Sequence, residues 1–387
     1  MNKICLLIVL VLSTYSCTKQ KDSTVLEFPS GNSKFEDLFK VEKTIKIKMN
    51  NSDSTKLFSV YKIHKIDSNR YFIIDAMGRS SYIIDSTGLI TKRISRQGQG
   101  PGELNYVTDY TFDERSNLYL LDPIANKIST YDSSFNFIKS YQLSFEHRIS
   151  YELRYCNGFF FISSVRNLDK NSNSKNFSFL EYDENTFVMV YDRNFTLINS
   201  FLKPAKELKE TQGVLTLSKE NTAPYTIYDN KVFVMTQEGF YTISLFDMNF
   251  NMREKFEVIN SKFKKIDINK VKNIKIANNK LITSVEEIGR IVSSYTTPVS
   301  LDIINDRLIV TMLEPYGNYY PKFDKDIIKK FYYDIFKIKD DNIIPQFSNI
   351  ETSKRIIGIE NNHIYLTEDF GKNSNDYISI EIAKLLK

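Results

Sequence analysis

Through most of its length the chain alternates between short apolar stretches rich in Val, Ile, Tyr and Phe and clusters of Asp, Asn, Ser and Gly. Helical periodicity is scarce, so the pattern predicts strands joined by tight turns. Two stretches show the unit clearly. Tyr71-Phe72-Ile73-Ile74-Asp75 precedes Ser80-Ser81-Tyr82-Ile83-Ile84-Asp85, and Leu118-Tyr119-Leu120-Leu121-Asp122 precedes Lys127-Ile128-Ser129-Thr130-Tyr131-Asp132. In both, the two aspartates stand ten residues apart. The second aspartate opens a string that recurs as Asp85-Ser86-Thr87-Gly88, Asp132-Ser133-Ser134-Phe135, Asp192-Arg193-Asn194-Phe195 and Asp247-Met248-Asn249-Phe250, at intervals of 47, 60 and 55 residues. An aspartate bonds the backbone two residues on, so each string places a turn between two strands. The intervals fit a repeated unit of four strands with variable loops.

The stretch Asn117 to Asp122, followed by Asn126-Lys127-Ile128 and Tyr131-Asp132, resembles the strand pattern of NHL-type propeller repeats. Just before it, Arg96-Gln97-Gly98-Gln99-Gly100-Pro101-Gly102-Glu103 resembles the hallmark of a family of secreted six-bladed β-propeller lipoproteins. The resemblance implies an all-β six-bladed propeller with blades of four antiparallel strands, and it lends no catalytic residue. Counting strands gives blades at 57–95, 104–143, 150–202 and 222–258. A fifth combines 299–304, 307–313, 331–338 and 342–347, and a sixth has only 355–360, 363–367 and 377–382. Residues 43–48 are expected to supply its missing outer strand and close the ring, which leaves no long unpaired edge. Residues 259–297 read as an insertion with a short helix at 285–294; strands at 272–276 and 280–284 would instead make a seventh blade.

The first residues carry a different signal. Lys3 precedes a nine-residue apolar run from Ile4 to Leu12, and Ser16-Cys17 opens a polar stretch. Nine residues are less than half of the ~20 needed to cross a bilayer, so the run reads as the core of a signal peptide over 1–16. Ser16-Cys17 resembles a bacterial lipoprotein signal, in which the cysteine becomes the lipid-bearing first residue, although Thr14 stands where Leu is usual. Thr18 after the cysteine favours the outer membrane of a Gram-negative envelope by the same resemblance. Residues 17–40 are then a flexible tether and 41–387 a single propeller domain. Cys5 is lost with the signal and Cys17 is lipidated, leaving Cys156 alone and no intramolecular disulfide.

Composition narrows the picture further. The 387 residues are 42% hydrophobic and 26% charged, with 24 Tyr and 28 Phe but no Trp, which excludes a disordered polymer and a small disulfide scaffold. The net charge of +5 is spread along the chain rather than gathered in a stripe, so no nucleic-acid partner is expected. A monomer is expected.

Candidate chemistry is sparse. In 96–103 the three glycines and Pro101 make a rigid turn, read either as an inter-blade crossover or as a ligand loop through Arg96, Gln97 and Glu103; Walker spacing is absent. Tyr316, Tyr319 and Tyr320, among Pro315, Gly317 and Pro321, form a candidate aromatic loop for sugars or peptides. The oxygen donors of 169–176 alternate as in a calcium loop, but Ser174 stands where Gly is required and Leu180 where an acid is required. No metal site or cofactor is therefore assigned; calcium held by oxygens converging from several blades stays open as an alternative. His64, His147 and His363 are far apart, and Cys156 precedes Asn157-Gly158 at a turn without a nucleophile's partners.

Two functions from different classes fit. One is a lipid-anchored binding module for a carbohydrate, peptide or envelope protein, whose channel mouth is lined by aromatic and amide groups without an acid–base pair. The other is an envelope hydrolase or lyase acting on a carbohydrate or lactone, with at least two of Asp, Glu, His or Asn converging on the channel axis.

Overall fold

The computed structural model describes residues 23–31, 33–48, 57–143, 148–167, 180–181, 188–201, 223–238, 240–265, 276–277, 280–281, 294–315, 330–368 and 377–386. They form six antiparallel four-stranded blades around a central channel. The innermost strands, in blade order, are Lys62–Lys65, Asp109–Phe112, Arg148–Cys156, Tyr225–Tyr228, Thr297–Ile304 and Lys354–Glu360. The ring closes as the sequence predicts. Phe39–Lys48 pairs antiparallel with Tyr377–Leu385 as the outer strand of blade 6, so the first and last parts of the chain share one sheet.

The apolar residues of the described chain fall into six buried clusters, and each lies between two neighbouring blades. Phe72, Ile74, Leu118 and Leu120 fill the space between blades 1 and 2. Leu121, Phe160, Ile162 and Phe195 do so between blades 2 and 3. Ile45, Ile63, Ile73 and Tyr365 fill the seam between blades 6 and 1. A blade therefore has no core of its own, and burial of its two faces requires both neighbours. Most aromatics serve this packing: Tyr119 meets Phe160 at 4.6 Å, Phe201 meets Phe246 at 5.0 Å and Tyr71 meets Tyr365 at 6.0 Å between ring centroids.

The turn strings fold as their composition dictates. The Asp132 carboxylate accepts the N–H groups of Ser134 and Asn136 at 2.9 and 2.8 Å, and Asp192 and Asp247 do the same two and four residues on. The fourth position takes a left-handed conformation in every copy: Gly88 at φ 90°, Phe135 at 63°, Phe195 at 59° and Phe250 at 66°. Such a φ is costly for a bulky residue. The phenyl rings offset it by packing into the blade interfaces, with Phe135 and Phe195 only 5% and 6% exposed. Gly88 is the exception because a Cβ there would lie 2.2 Å from the carbonyl oxygen of Lys46 in the closing strand.

One expectation changes. The tether over 17–40 is not free along its length, because Thr24–Glu27 adds a fifth, parallel strand to the outer edge of blade 4 and Phe35–Leu38 forms a short helix. Apolar and aromatic residues explain it: Leu26 and Phe28 pack on the blade 4–5 cluster, and Phe35 and Leu38 join the blade 5–6 cluster. Of the stretches weighed for a seventh blade, the described residues Ile276–Ala277 and Lys280–Leu281 pair with each other, and the others lie outside the described residues. The helix expected at 285–294 lies, apart from Ser294, outside the described residues, as do the calcium-like loop at 169–176, Tyr316, Tyr319, Tyr320, His147 and Cys17.

Candidate functional site

A cavity of about 1020 Å³ runs through the channel and is lined by the innermost strands of all six blades. Inner strands of a propeller face their counterparts around the axis, so charges carried on different blades meet there. Lys62 of blade 1, Asp109 of blade 2, Glu152 and Arg154 of blade 3, Asp302 of blade 5 and Arg355 of blade 6 all line it. Blade 4 contributes the uncharged Thr226, Ile227 and Tyr228.

Asp109 ties this network together. Its carboxylate, fully buried, accepts Lys62 Nζ at 2.6 Å on one oxygen and Arg154 Nη1 at 2.8 Å on the other. The N–H groups of Tyr110 and Leu153 add bonds of 2.8 and 2.9 Å. Burial by itself raises the acid's pKa, but the two cations and these bonds overcome it and hold Asp109 below the usual range. Burial likewise disfavours the Arg154 cation, and the charges of Asp109 and Glu152 reverse that.

Glu152 and Asp302 are placed differently. Burial raises both pKa values, against the pull of Arg154 and Lys62. Asp302 accepts the Ser300 hydroxyl at 2.5 Å, whereas Glu152 Oε2 is buried and accepts no hydrogen bond from the described residues. A buried carboxylate oxygen without a donor is costly, which makes it a natural contact for a ligand's hydroxyl or N–H. On the far side of the cavity the Arg355 guanidinium lies 4.5 Å from the Tyr61 ring centroid. His64 stacks on Phe112 at 4.4 Å, and burial pushes its imidazole down to about 4, so it is neutral at pH 7.

The loop over 96–103 sits elsewhere. It makes the crossover from blade 1 to blade 2, and none of its residues lines the cavity. Glu103 turns inward to accept Arg96 Nε at 2.7 Å and the Gly100 N–H at 2.9 Å. A side chain at Gly98 would meet the same carboxylate at 2.0 Å, and Gly102 needs its φ of 73°. Lys127 Nζ and the Tyr131 hydroxyl fasten the carbonyls of Glu103 and Gly102 to blade 2 at 2.8 Å each. Gln97 pairs with Leu104 across the loop, and Pro101 lies at its exposed tip. This geometry builds a self-satisfied clamp.

The channel differs from the lining expected of a pure recognition module, because three carboxylates converge on it. None of Lys62, Asp109, Glu152, Arg154, Asp302 or Arg355 stood out in the sequence. The available signal was a charged residue inside the first strand of a blade, as in Asp109-Tyr110-Thr111-Phe112, where a buried strand would otherwise be apolar. Among the described residues no group of three or more His, Cys, Asp or Glu is placed to hold a metal ion. His363, at the channel rim, meets Glu42 at 3.0 Å, and Cys156 is a half-buried free thiol whose pKa is raised by burial.

Comparison with known proteins places this geometry in context. A solved structure of a candidate exported protein from Bacteroides fragilis NCTC 9343 superposes with a TM-score of 0.60 at 14% identity, covering 94% of this chain and 100% of the other. A member of the DUF4221 family from Bacteroides vulgatus ATCC 8482 gives 0.59 at 11% identity, covering 90% and 99%. At such identities the likeness is one of fold. No curated protein matches the sequence. The profile of one family matches residues 15–292, most of the propeller, and the chain belongs to that family, DUF5128, the 6-bladed beta-propellers.

Proposed function

We propose that the protein is a ligand-binding propeller of the bacterial cell envelope, lipid-anchored through Cys17, that seats a small polar ligand in its channel. The observation that carries this reading is Glu152 Oε2, buried and without a donor among the described residues, on the wall of a cavity of about 1020 Å³. A ligand rich in hydroxyl or N–H groups would satisfy Glu152 and Asp302. The acidic and basic walls would read its orientation. Asp109 is already held by Lys62 and Arg154, which fixes the site before a ligand arrives and lowers the cost of binding. An oligosaccharide or short peptide of envelope origin has this chemistry. The outer membrane is the proposed location, on the strength of the Ser16-Cys17-Thr18 signal.

The test is a thermal-shift and calorimetric screen of the mature protein against soluble glycan and peptide fragments of the envelope. A ligand whose affinity falls at least about tenfold, roughly 1.4 kcal/mol, in both Glu152→Gln and Asp302→Asn supports the assignment. Binding unchanged in both variants overturns it.

A hydrolase or lyase is the second reading, and one observation favours it. Glu152 and Asp302 come from different blades with environments that favour the protonated acid, the condition a general acid needs. Product release from a bound fragment, abolished by either substitution while binding persists, would select this reading over the first.

A further inference from the structure

We propose that the outer edge of blade 4 faces a lipid surface, so that the propeller stands on its rim with its channel axis along the membrane and both channel mouths open sideways. The inference rests on the lipid anchor at Cys17 and goes beyond it by fixing an orientation. Its basis is where the first described residues join the body. Ser23 Oγ donates to Glu257 Oε1 at 2.6 Å, and from Thr24 to Glu27 the chain runs in parallel register with Phe256 to Ile259 on the outermost strand of blade 4. Phe28 then packs against Phe336 of blade 5 at 5.0 Å between centroids. The chain crosses blade 5 to reach blade 6 through Phe35, which packs near Tyr333.

Between Cys17 and Ser23 there are six peptide units, which span at most about 20 Å. A domain of this size is about 50 Å across. The lipid attachment point is thus held within less than half a molecular width of the blade 4 edge, so this rim is the part of the ring that the anchor keeps nearest the surface. Had the chain joined the body only at Phe39, the tether would reach about 70 Å and leave the orientation free. The edge itself suits headgroups: Val25 is 55% and Ile259 40% exposed, while the outward backbone groups of Thr24–Glu27 have no strand partner among the described residues and need polar contacts. Ligands would then enter the channel along the membrane rather than from above it.

The experiment uses the full chain, matured in a bacterial envelope and reconstituted into phosphatidylethanolamine/phosphatidylglycerol vesicles carrying a headgroup nitroxide. In a Cys156→Ser background, a fluorophore is placed at Thr24→Cys on blade 4 or Lys92→Cys on the outer strand of blade 1. Intact mass establishes whether Cys17 carries lipid. The expected result is several-fold stronger quenching at position 24 than at 92, lost when a Gly/Ser spacer of ~20 residues follows Asp22. Equal quenching at both positions in lipidated protein, or stronger quenching at 92, overturns the orientation and leaves the anchor standing. A mass without lipid overturns the anchor, and the orientation with it.

Discussion

Asp109 is the residue on which the channel's charge balance depends. It holds two cations from two other blades, Lys62 and Arg154, and is itself fully buried. Removing one partner of a buried network strands the others, at a cost of about 3–5 kcal/mol. Asp109→Ala is therefore expected to lower unfolding stability by that order in a denaturant titration, whereas Glu103→Ala, at the exposed loop, lowers it far less. Asp334 offers a pH test. It is buried between blades 4 and 5, where it accepts Tyr241 Oη, Asn260 Nδ2 and the Asn349 N–H without a cation, and burial pushes it up to about 6. The folded state then binds the proton more tightly than the unfolded chain, so this group's contribution to stability is fullest below about pH 4 and is lost as pH rises to about 6. Denaturation midpoints of wild type and Asp334→Asn, compared from pH 4 to 7, should differ by that falling segment; parallel curves would refute the assignment. Neither residue announced itself in the sequence. Asp109 opens its strand and reads as a turn former, Asp334 lies within the strand Phe331–Lys339, and only the approach of another blade makes the one an ion-pair centre and the other a buried acid.

At the scale of elements, the turn between the third and fourth strands sets both geometry and packing. Its aspartate satisfies two N–H groups, and its fourth residue carries a left-handed φ while its ring fills an interface. These contributions separate by mutation. Asp192→Ala removes the acceptor of Asn194 and Thr196 in a solvent-accessible turn and should cost about 1 kcal/mol. Phe195→Ala empties a pocket in which the ring stacks on Phe160 at 4.4 Å and meets Tyr141 at 4.6 Å, and should cost about 3–5 kcal/mol. Gly88→Ala meets both the φ of 90° and the Lys46 carbonyl, and is expected to lose about 1–3 kcal/mol while its counterparts tolerate a phenyl ring. Equilibrium unfolding of the three variants checks the ranking. This scale was the most legible, because the Asp-x-x-Phe string acts within a few residues and needs no distant partner to be recognised. The parallel strand Thr24–Glu27 was missed for the opposite reason. Its few exposed residues have no pattern of their own, and its partner lies more than two hundred residues away.

For the whole molecule, closure decides stability. Each apolar cluster spans two blades, so losing one interface weakens both of its neighbours. Gly358 lies at the closing seam, where a Cβ would come within 2.2 Å of the Ile63 carbonyl oxygen, and the innermost strands of blades 6 and 1 meet there. Deleting the chain through Lys48 removes the outer strand of blade 6 and exposes the edge of Tyr377–Leu385. That truncation is expected to aggregate and lose its cooperative melt, as read by size exclusion and calorimetry. Deletion only through Phe28 strips the added strand of blade 4 but keeps the ring closed, and should retain one cooperative transition at a modestly lower midpoint.

What the sequence determined by itself was whatever repeats or acts locally: the alternation that makes strands, the aspartate turns, the four-stranded repeat and the strand that closes the ring. These follow from short-range backbone chemistry and from a period that one chain displays several times over. The tertiary structure decided the channel. Lys62, Asp109, Glu152, Arg154, Asp302 and Arg355 come from five blades and share no spacing, and only ring closure brings their side chains around one cavity. It also decided that the loop over 96–103 is a clamp, because Glu103 finds its partners inside that loop rather than in the channel.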